Sequence, residues 1–227
     1  DIITLFPDSF PGVLDKSLTG RALSEGKWAL STTDLRLFGK GRHKNVDDKP
    51  AGGGAGMVLR ADVIGKAIDH VLHQQKTEKP LIFLSPRGQV FDQKMATEWI
   101  KKAGIVLLAG RFEGVDQRVI EHYGIQEVSL GDFVMSGGEI AAQAMIDACV
   151  RLLPGVLGNA VSIEEESHQK GLLEHPQYTR PNEWNGKMIP DVLLSGNHQK
   201  IEEWRRSQAE ELTKSRRPDL WAARKVR

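Results

Sequence analysis

Three glycine-bearing segments, each directly after a short apolar run, constrain the fold of this chain more than any other feature. The segments span 84–88, 109–116 and 130–139, and the runs before them span 80–85, 105–109 and 125–130. The first two runs are apolar throughout, which is typical of strands covered on both faces of a sheet. Together with a further apolar run at 2–6, they predict four strands.

Helical patterns separate these predicted strands. Apolar residues recur at helical spacing over 61–75, and Asp92 is a predicted N-cap for a helix over 92–102. A third predicted helix, 138–153, ends at Pro154-Gly155, and its spacing predicts that Ile140, Ala144, Cys149 and Leu152 face inward. The alternation of strands and helices predicts an α/β domain with a parallel sheet over residues 1–157.

The pattern changes after residue 157. Residues 158–170 have no clear period, contain three successive glutamates and are predicted to form an interdomain loop. Helical patterns return at 198–212 and 217–226, where Trp204 and Trp221 are the expected packing anchors. Residues 171–227 are therefore predicted to form a small helical C-terminal domain.

Composition excludes several classes of protein. With 227 residues, of which 40% are hydrophobic, the chain is long and apolar enough to bury a sizeable core. Its single cysteine, Cys149, excludes an internal disulfide framework and a cysteine-based zinc site, and it suggests a reducing compartment. No apolar stretch approaches the ~20 residues that span a bilayer, and no signal peptide is visible. We expect a cytoplasmic protein with no membrane segment.

The charges are distributed unevenly although they nearly cancel, with a formal net charge of +1. Four basic and no acidic side chains lie within 36–44, and nine basic residues oppose five acidic ones over 200–227. The balance reverses over 111–151, where seven acidic residues oppose three arginines. This arrangement fits a polyanion held beside a site for a cationic group, and it equally fits ordinary solvated faces.

The three glycine-bearing segments are candidate ligand-binding turns. In parallel α/β sheets ligands bind at the carboxyl ends of the strands, and glycines there let the main chain approach a ligand. The alternative is that each glycine only meets a turn's need for positive φ. Neither a P-loop nor a dinucleotide-binding motif is present. The segments carry Glu113, Asp132 and Glu139 but few basic groups besides Arg87 and Arg111, which favours adenosine joined to a positive sulfonium over a triphosphate.

Several sequence blocks together resemble the bacterial tRNA (guanine-N1)-methyltransferases, the TrmD family of the SPOUT class. The resemblance runs in order from residue 1 to about residue 218 and is carried by the three turns and by blocks at 46–50, 52–54, 154–158, 175–181 and 192–198. It implies that S-adenosylmethionine is the methyl donor and that a trefoil knot in the first domain holds it. It also implies an obligate homodimer with active sites at the subunit interface, and methylation of the guanosine 3′ of the anticodon, tRNA position 37.

The resemblance assigns sixteen residues of the three turns to cofactor binding. They are Phe83, Leu84, Ser85, Pro86, Gly110, Phe112, Glu113, Gly114, Leu130, Gly131, Asp132, Phe133, Val134, Met135, Gly137 and Gly138. Glu113 matches a glutamate near the methionine end of the donor. The family resemblance also implies Mg²⁺, although no cluster of metal ligands is recognisable in the sequence. Phe112 departs from the family, which often has tyrosine there, but it keeps the aromatic face.

Two residues are assigned to catalysis by the same resemblance. Methylation of guanine N1 requires removal of its proton, and the alignment places Glu166 at the family's catalytic aspartate, with Glu165 as the alternative. Arg151 falls on the family's catalytic arginine, where it would stabilise the negative charge that develops on guanine O6. Without the resemblance, residues 164–166 would be interpreted as a hydrophilic hinge and Arg151 as a helix C-terminal residue complementing the dipole.

Contacts with tRNA are assigned to His43, Asp47, Arg111 and Arg180, and the basic helices near the end of the chain add phosphate contacts. Two other functions remain open on the sequence. One is a SPOUT enzyme that methylates a ribose 2′-hydroxyl, a reaction without an N1 proton. The other is a non-catalytic RNA-binding relative that keeps the pocket, against which the joint presence of the acidic loop and Arg151 argues.

Overall fold

A five-stranded parallel sheet organises the first part of the chain in the computed structural model, which describes residues 1–75, 77–157, 167 and 171–224. The strands of this part, including a separate antiparallel pair formed by β3 and β4, are β1 (Ile2–Thr4), β2 (Thr32–Asp34), β3 (Asp47–Asp48), β4 (Val58–Leu59), β5 (Leu81–Val90), β6 (Val106–Ala109) and β7 (Gln126–Ser129). The order in the large sheet is β2-β1-β6-β5-β7, and every pair in it is parallel. The prediction of a parallel α/β domain is confirmed.

Helices cover both faces of this sheet. They are α1 (Ser17–Ser24), α2 (Ala61–His73), α3 (Gln93–Trp99), α4 (Gln117–Tyr123) and α5 (Glu139–Val150). Alternate strand residues enter different cores: Ile82 and Leu107 pack with α3 and α5, whereas Phe83 and Leu108 pack with α2 and α4. Burial on both faces explains why the strands at 80–85 and 105–109 are continuously apolar.

The local signals in the sequence explain most of the helix boundaries. The Asp92 side chain accepts a hydrogen bond from the backbone N–H of Met95 at 2.8 Å, so the predicted N-cap of α3 is present. Asp116 caps α4 in the same way, accepting from the N–H of Arg118 at 3.0 Å. Helices α1 and α4 and strands β2, β3 and β4 were not predicted, because short elements such as the polar strand Thr32–Asp34 carry little periodicity.

The predicted inward face of α5 is wrong for Ile140 and Ala144, which are exposed, and right for the buried Cys149. The buried stripe instead follows Ala141, Met145 and Cys149. The helix is apolar almost all round, with glutamine and aspartate as its only polar residues after Glu139. Hydrophobic spacing therefore cannot identify which of its faces meets the sheet.

The chain divides into two compact units, Asp1–Gly158 and Asn159–Arg227. The described part of the second unit contains α6 (Asp191–Leu194), α7 (His198–Arg216) and α8 (Pro218–Arg224), together with a hairpin of β8 (Glu183–Trp184) and β9 (Lys187–Met188). The hairpin was not predicted, although Asn185-Gly186, both at positive φ, is a strong turn signal. Trp204 lies beside Tyr178, with ring centroids 6.1 Å apart. No helix within the described residues is long and apolar enough to cross a bilayer.

Candidate active site

The three glycine-bearing turns lie side by side because of the strand order. Strand β5 is flanked by β6 on one side and β7 on the other, and all three run in the same direction. Their carboxyl ends therefore emerge at neighbouring positions along one edge of the sheet, where ligands bind in folds of this type. The turns that follow line a single cavity of about 210 Å³.

The first turn is built differently from the prediction. Strand β5 continues to Val90, but its pairing with β7 slips, since Val128 pairs with both Leu84 and Gln89. Residues 85–88 are thereby left out of the ladder as a bulge inside a strand. Ser85 is buried, and its hydroxyl accepts a hydrogen bond from the backbone N–H of Arg87 at 3.2 Å, which holds the bulge in shape.

Fourteen of the sixteen residues assigned to cofactor binding line the cavity. The two that do not are Gly131 and Asp132, and the Asp132 side chain is exposed. The cavity is also lined by residues that the sequence analysis did not assign to the cofactor, namely Arg87, Arg111, Val128, Ser129, Ser136 and Ala141. All of these lie within or beside the three turns, so extending each motif by one or two residues would have found them. Binding by any of the lining residues stays a prediction.

Close approach of protein atoms, more than backbone conformation, explains the glycines of these turns. A Cβ on Gly138 would lie 2.9 Å from the Ala109 Cα, and a Cβ on Gly110 would lie 2.5 Å from the Phe83 ring. Neither residue has positive φ, whereas Gly114 does, at 113°. The alternative interpretation of the turns, a need for positive φ, therefore holds at Gly114 but not at Gly110 or Gly138.

Charge in the cavity is largely compensated. The Arg87 guanidinium pairs with Glu127 (Nη2 to Oε2, 3.1 Å), and the Arg111 guanidinium pairs with Glu139 (Nη2 to Oε2, 2.8 Å). Within the described residues, Glu113 has no salt bridge, so its carboxylate adds an uncompensated negative charge to the lining. At the end of the second turn, the side-chain hydrogen bond from Arg118 holds the pKa of Asp116 below its usual range. The site thus suits a cationic ligand better than a polyphosphate.

The glycine-rich segment 52–56 runs beside the second turn. The backbone N–H of Glu113 donates to the Met57 carbonyl, and that of Leu59 donates to the Gly114 carbonyl, each at 2.9 Å. Gly56, at φ 86°, lies against the Glu113 side chain so closely that a Cβ would collide with its carboxylate. The glycine-rich segment is therefore part of the wall behind Glu113.

The other assigned residues lie at varied places. Arg151 is half-buried at the C-cap of α5, and Glu165 and Glu166 lie outside the described residues. His43 is exposed, Asp47 is half-buried in β3, and Arg180 is exposed in the second unit. Arg111 is half-buried in the first unit, where its side chain pairs with Glu139. The described residues contain no group of three His, Cys, Asp or Glu side chains that could hold a metal ion.

Comparison with known proteins gives matches over nearly the whole chain. A family model described as tRNA (guanine-1)-methyltransferase TrmD matches residues 1–223. A protein of Ruegeria sp. (strain TM1040), named tRNA (guanine-N(1)-)-methyltransferase, is 66% identical over 226 residues, covering 100% of this chain and 93% of the relative. Proteins of the same name from Ruegeria pomeroyi and Mesorhizobium japonicum are 67% and 58% identical, over 97% and 98% of this chain and 90% and 95% of the relatives.

Proposed function

This chain belongs to the TrmD family of tRNA (guanine-1)-methyltransferases, and from that premise we propose that it methylates N1 of the guanosine at tRNA position 37 with S-adenosylmethionine. The observation that carries the proposal is the meeting of three glycine-bearing turns in one cavity. A SPOUT-type trefoil knot through these turns and a place in the cytoplasm, beside the tRNA substrate, belong to the same proposal.

The residues present fit this methyl donor. S-adenosylmethionine supplies an electrophilic methyl group on a positively charged sulfonium. The turns offer backbone N–H and C=O groups that can read the edge of an adenine ring, and the apolar side chains of Leu84, Leu130 and Met135 can cover its faces. Both arginines of the lining are paired with glutamates, which leaves Glu113 to favour the cationic end of the donor.

A carboxylate is proposed to remove the N1 proton as the methyl group arrives. Glu166 has this role by the resemblance, with Glu165 as the alternative, and both lie outside the described residues. A glutamate in place of the family's aspartate adds one methylene and keeps the carboxylate. Protein nucleophiles are not needed, because the reaction requires in-line placement and proton transfer only.

The position of Arg151 supports an active site that is shared between two subunits. Helix α5 begins at the cavity, beside Gly138, and Arg151 follows its other end after 12 helical residues. At 1.5 Å per residue the helix is about 18 Å long, farther than an arginine side chain reaches. We therefore propose that Arg151 of a second copy completes the active site, where it stabilises the charge on guanine O6.

Exposed apolar side chains around the cavity favour the same dimer. Phe112 is 52% exposed, Phe133 54%, Val134 83% and Ile140 68%. Large apolar groups that cluster at a rim are typical of a surface that a partner covers. A second copy packed here would bury them and close the cavity on the donor at the same time.

Contacts with tRNA are proposed at His43, Asp47 and Arg180, which lie at accessible or partly accessible positions. Met57 and Leu59, which follow the glycine-rich segment 52–56, hydrogen-bond with the Glu113 turn, so RNA bound at this segment would lie close to the donor. Mg²⁺ enters the proposal through the family resemblance alone, and no residue is assigned to it.

Site-specific methylation tests the function directly. The protein is incubated with S-adenosylmethionine and tRNA transcripts that carry guanosine or adenosine at position 37, and the modified nucleoside is mapped by digestion and mass spectrometry. We expect 1-methylguanosine at position 37 of the first transcript and no product on the second. A 2′-O-methylated ribose, or product on the adenosine transcript, would exclude the proposed reaction.

The proton acceptor is tested by Glu166→Gln. We expect turnover to fall by about 10²- to 10⁴-fold, the usual contribution of a general base, while the affinity for S-adenosylmethionine stays near that of the wild type. Glu166→Asp should keep most of the activity, and Glu165→Gln is the matched control. Wild-type turnover in the Glu166→Gln variant together with loss in the control would transfer the role to Glu165.

A further inference from the structure

An ion pair joins the second turn to the helix that follows the third turn. Arg111 Nη2 lies 2.8 Å from Glu139 Oε2, and the two side chains are 26% and 5% exposed. The other carboxylate oxygen, Glu139 Oε1, accepts a hydrogen bond from the Thr4 hydroxyl at 2.8 Å. That hydroxyl in turn accepts from the backbone N–H of Phe6 at 3.0 Å, so the network ends at the carboxyl end of β1.

Further contacts restrain the Arg111 guanidinium, although its Nε has no hydrogen-bond partner within the described residues. It donates through Nη1 to the Ser136 carbonyl at 3.1 Å, and its carbon lies 4.4 Å from the centre of the Phe6 ring. Arg36 lies over the same ring at 5.3 Å. Gly137 packs directly on the Arg111 side chain, since a Cβ there would collide with Nε. A side chain held by these contacts is not available to reach out toward RNA.

The pair lies where the two turns meet. The backbone N–H of Gly138 donates to the Gly110 carbonyl at 2.9 Å, and Arg111 and Gly137 form an isolated antiparallel bridge. These backbone contacts set the distance between the two turns, and the buried ion pair lies directly beside them. A buried carboxylate without its counter-charge is strongly unfavourable, so the pair resists any separation of the turns.

We propose that Arg111 and Glu139 are positioning residues for the methyl donor, which rests on the proposed function. Their ion pair holds the second and third turns at the spacing at which both contact one donor molecule. It also compensates the guanidinium charge at the cavity wall, which would otherwise repel the sulfonium. This assignment replaces the expectation from the sequence that Arg111 binds tRNA.

A role of Arg111 in positioning the donor and a role in binding tRNA predict different results. Calorimetry with S-adenosylmethionine in the absence of tRNA measures donor affinity, and steady-state kinetics measure KM for each substrate. For Arg111→Ala and Glu139→Gln we expect donor affinity to fall about tenfold to a hundredfold, as a displacement of about 1 Å in a site can cause. KM for tRNA and its dependence on salt should change less than about twofold. Arg111→Lys, which keeps the charge, should recover part of the affinity.

A double variant tests whether the residues act through each other. If they do, Arg111→Ala/Glu139→Gln weakens donor binding no more than the worse single variant, because each change already separates the turns. Arg118→Ala is the matched control: its pair with Asp116 follows the same turn, with the arginine side chain 81% exposed, and donor affinity should stay within about twofold of wild type. Thermal melts establish that each variant is folded at the assay temperature.

Three results would overturn the proposal. The first is unchanged donor affinity in Arg111→Ala with a raised KM for tRNA and a salt slope lower by about one, the mark of a lost phosphate contact. The second is strictly additive losses in the double variant. The third is a fall in donor affinity that the unfolded fraction of the variant accounts for in full. Failure of the proposed function looks different: the wild type would bind the donor without methylating guanosine 37.

Discussion

The two ends of the parallel sheet carry two cavities that differ in kind. At the carboxyl ends of the strands, three turns enclose about 210 Å³ lined by glycines, main-chain groups and paired charges. At the amino ends, a cavity of about 410 Å³ is lined mainly by apolar groups, among them Trp28, Trp99 and Cys149. Residues that immediately precede strands, such as Ser31 and Ile105, line this second cavity.

The comparison teaches that size does not identify the site. The larger cavity is lined by apolar side chains with lysines and Asp1 among them, and the main-chain groups of its strands continue into strand pairing. At the smaller cavity β6 and β7 end and β5 bulges at 85–88, so backbone N–H and C=O groups leave the ladder, and an ion pair joins the second and third turns. Recognition depends on these few polar groups, which occur at the carboxyl end because β-to-α turns are placed there.

The largest expected effect separates stability from binding. Trp99 is buried and packs on Phe91 with ring centroids 5.1 Å apart. Trp99→Ala should lower the free energy of unfolding by about 3–5 kcal/mol, the usual cost of removing a buried aromatic side chain. Donor affinity of the folded fraction should stay within about twofold of wild type, because Trp99 lines only the amino-end cavity.

Urea titration and calorimetry at low temperature measure the two quantities for Trp99→Ala. A loss of donor affinity well beyond the unfolded fraction would mean that the two ends of the sheet are coupled through the core. The amino end of the sheet could then not be treated as a structural region that is independent of the binding end.

A smaller but more specific effect is expected at the carboxyl end. In Gly138→Ala the new methyl would lie 2.9 Å from the Ala109 Cα and 3.1 Å from the Gly110 nitrogen, and backbone cannot move aside as a side chain can. Overpacking of this kind costs about 1–3 kcal/mol, which corresponds to about 5- to 150-fold in donor affinity if it falls on the turns.

Gly65→Ala is the control for Gly138→Ala. Gly65 lies inside α2, where a Cβ would come no closer than 3.4 Å to the Tyr123 hydroxyl oxygen. Its replacement should raise stability by up to about 1 kcal/mol through helix propensity and leave donor affinity unchanged. If Gly138→Ala binds the donor like wild type, the close approach of the second and third turns does not determine donor affinity.

Much of the fold could be predicted because its signals are local. Continuous apolar runs marked β5 and β6, and the Asp92 cap marked α3. The strand order β2-β1-β6-β5-β7 could not be predicted, since pairing depends on contacts between residues far apart in sequence. The same limit explains why the buried face of α5 was misassigned, because only the sheet determines which side of an apolar helix is covered.

The site could be predicted as a set of turns but not as a network. Glycines directly after apolar runs indicated where a ligand would bind, and these turns share one cavity. The partner of Arg111 could not be read from the sequence: Glu139 is 28 residues away, and Thr4 is 107 residues away on another strand. Arg111 therefore resembled a free basic residue, and only the fold pairs it with a buried carboxylate.

The smallest effect of ligand binding is expected at the thiol at the amino end. Cys149 lines the apolar cavity, and burial raises the pKa of its thiol to about 12. Well below pH 8 the thiol is protonated in both folded and unfolded protein, so it does not make stability depend on pH there. As the pH rises from about 9 toward 12, the unfolded thiol ionises first, and the free energy of unfolding should decline.

Alkylation by iodoacetamide at pH 8 measures this environment, because only the thiolate reacts. Relative to the chain unfolded in urea, Cys149 in the folded protein should react about 10³-fold more slowly, as a pKa difference of about 3 implies. Without urea, saturating S-adenosylhomocysteine should leave the slow rate unchanged within about twofold, because the proposed donor site lies at the other end of the sheet. If the ligand changes the rate of Cys149 alkylation several-fold, ligand binding at the turns alters the amino-end cavity. The two ends would then have to be treated as one cooperative unit.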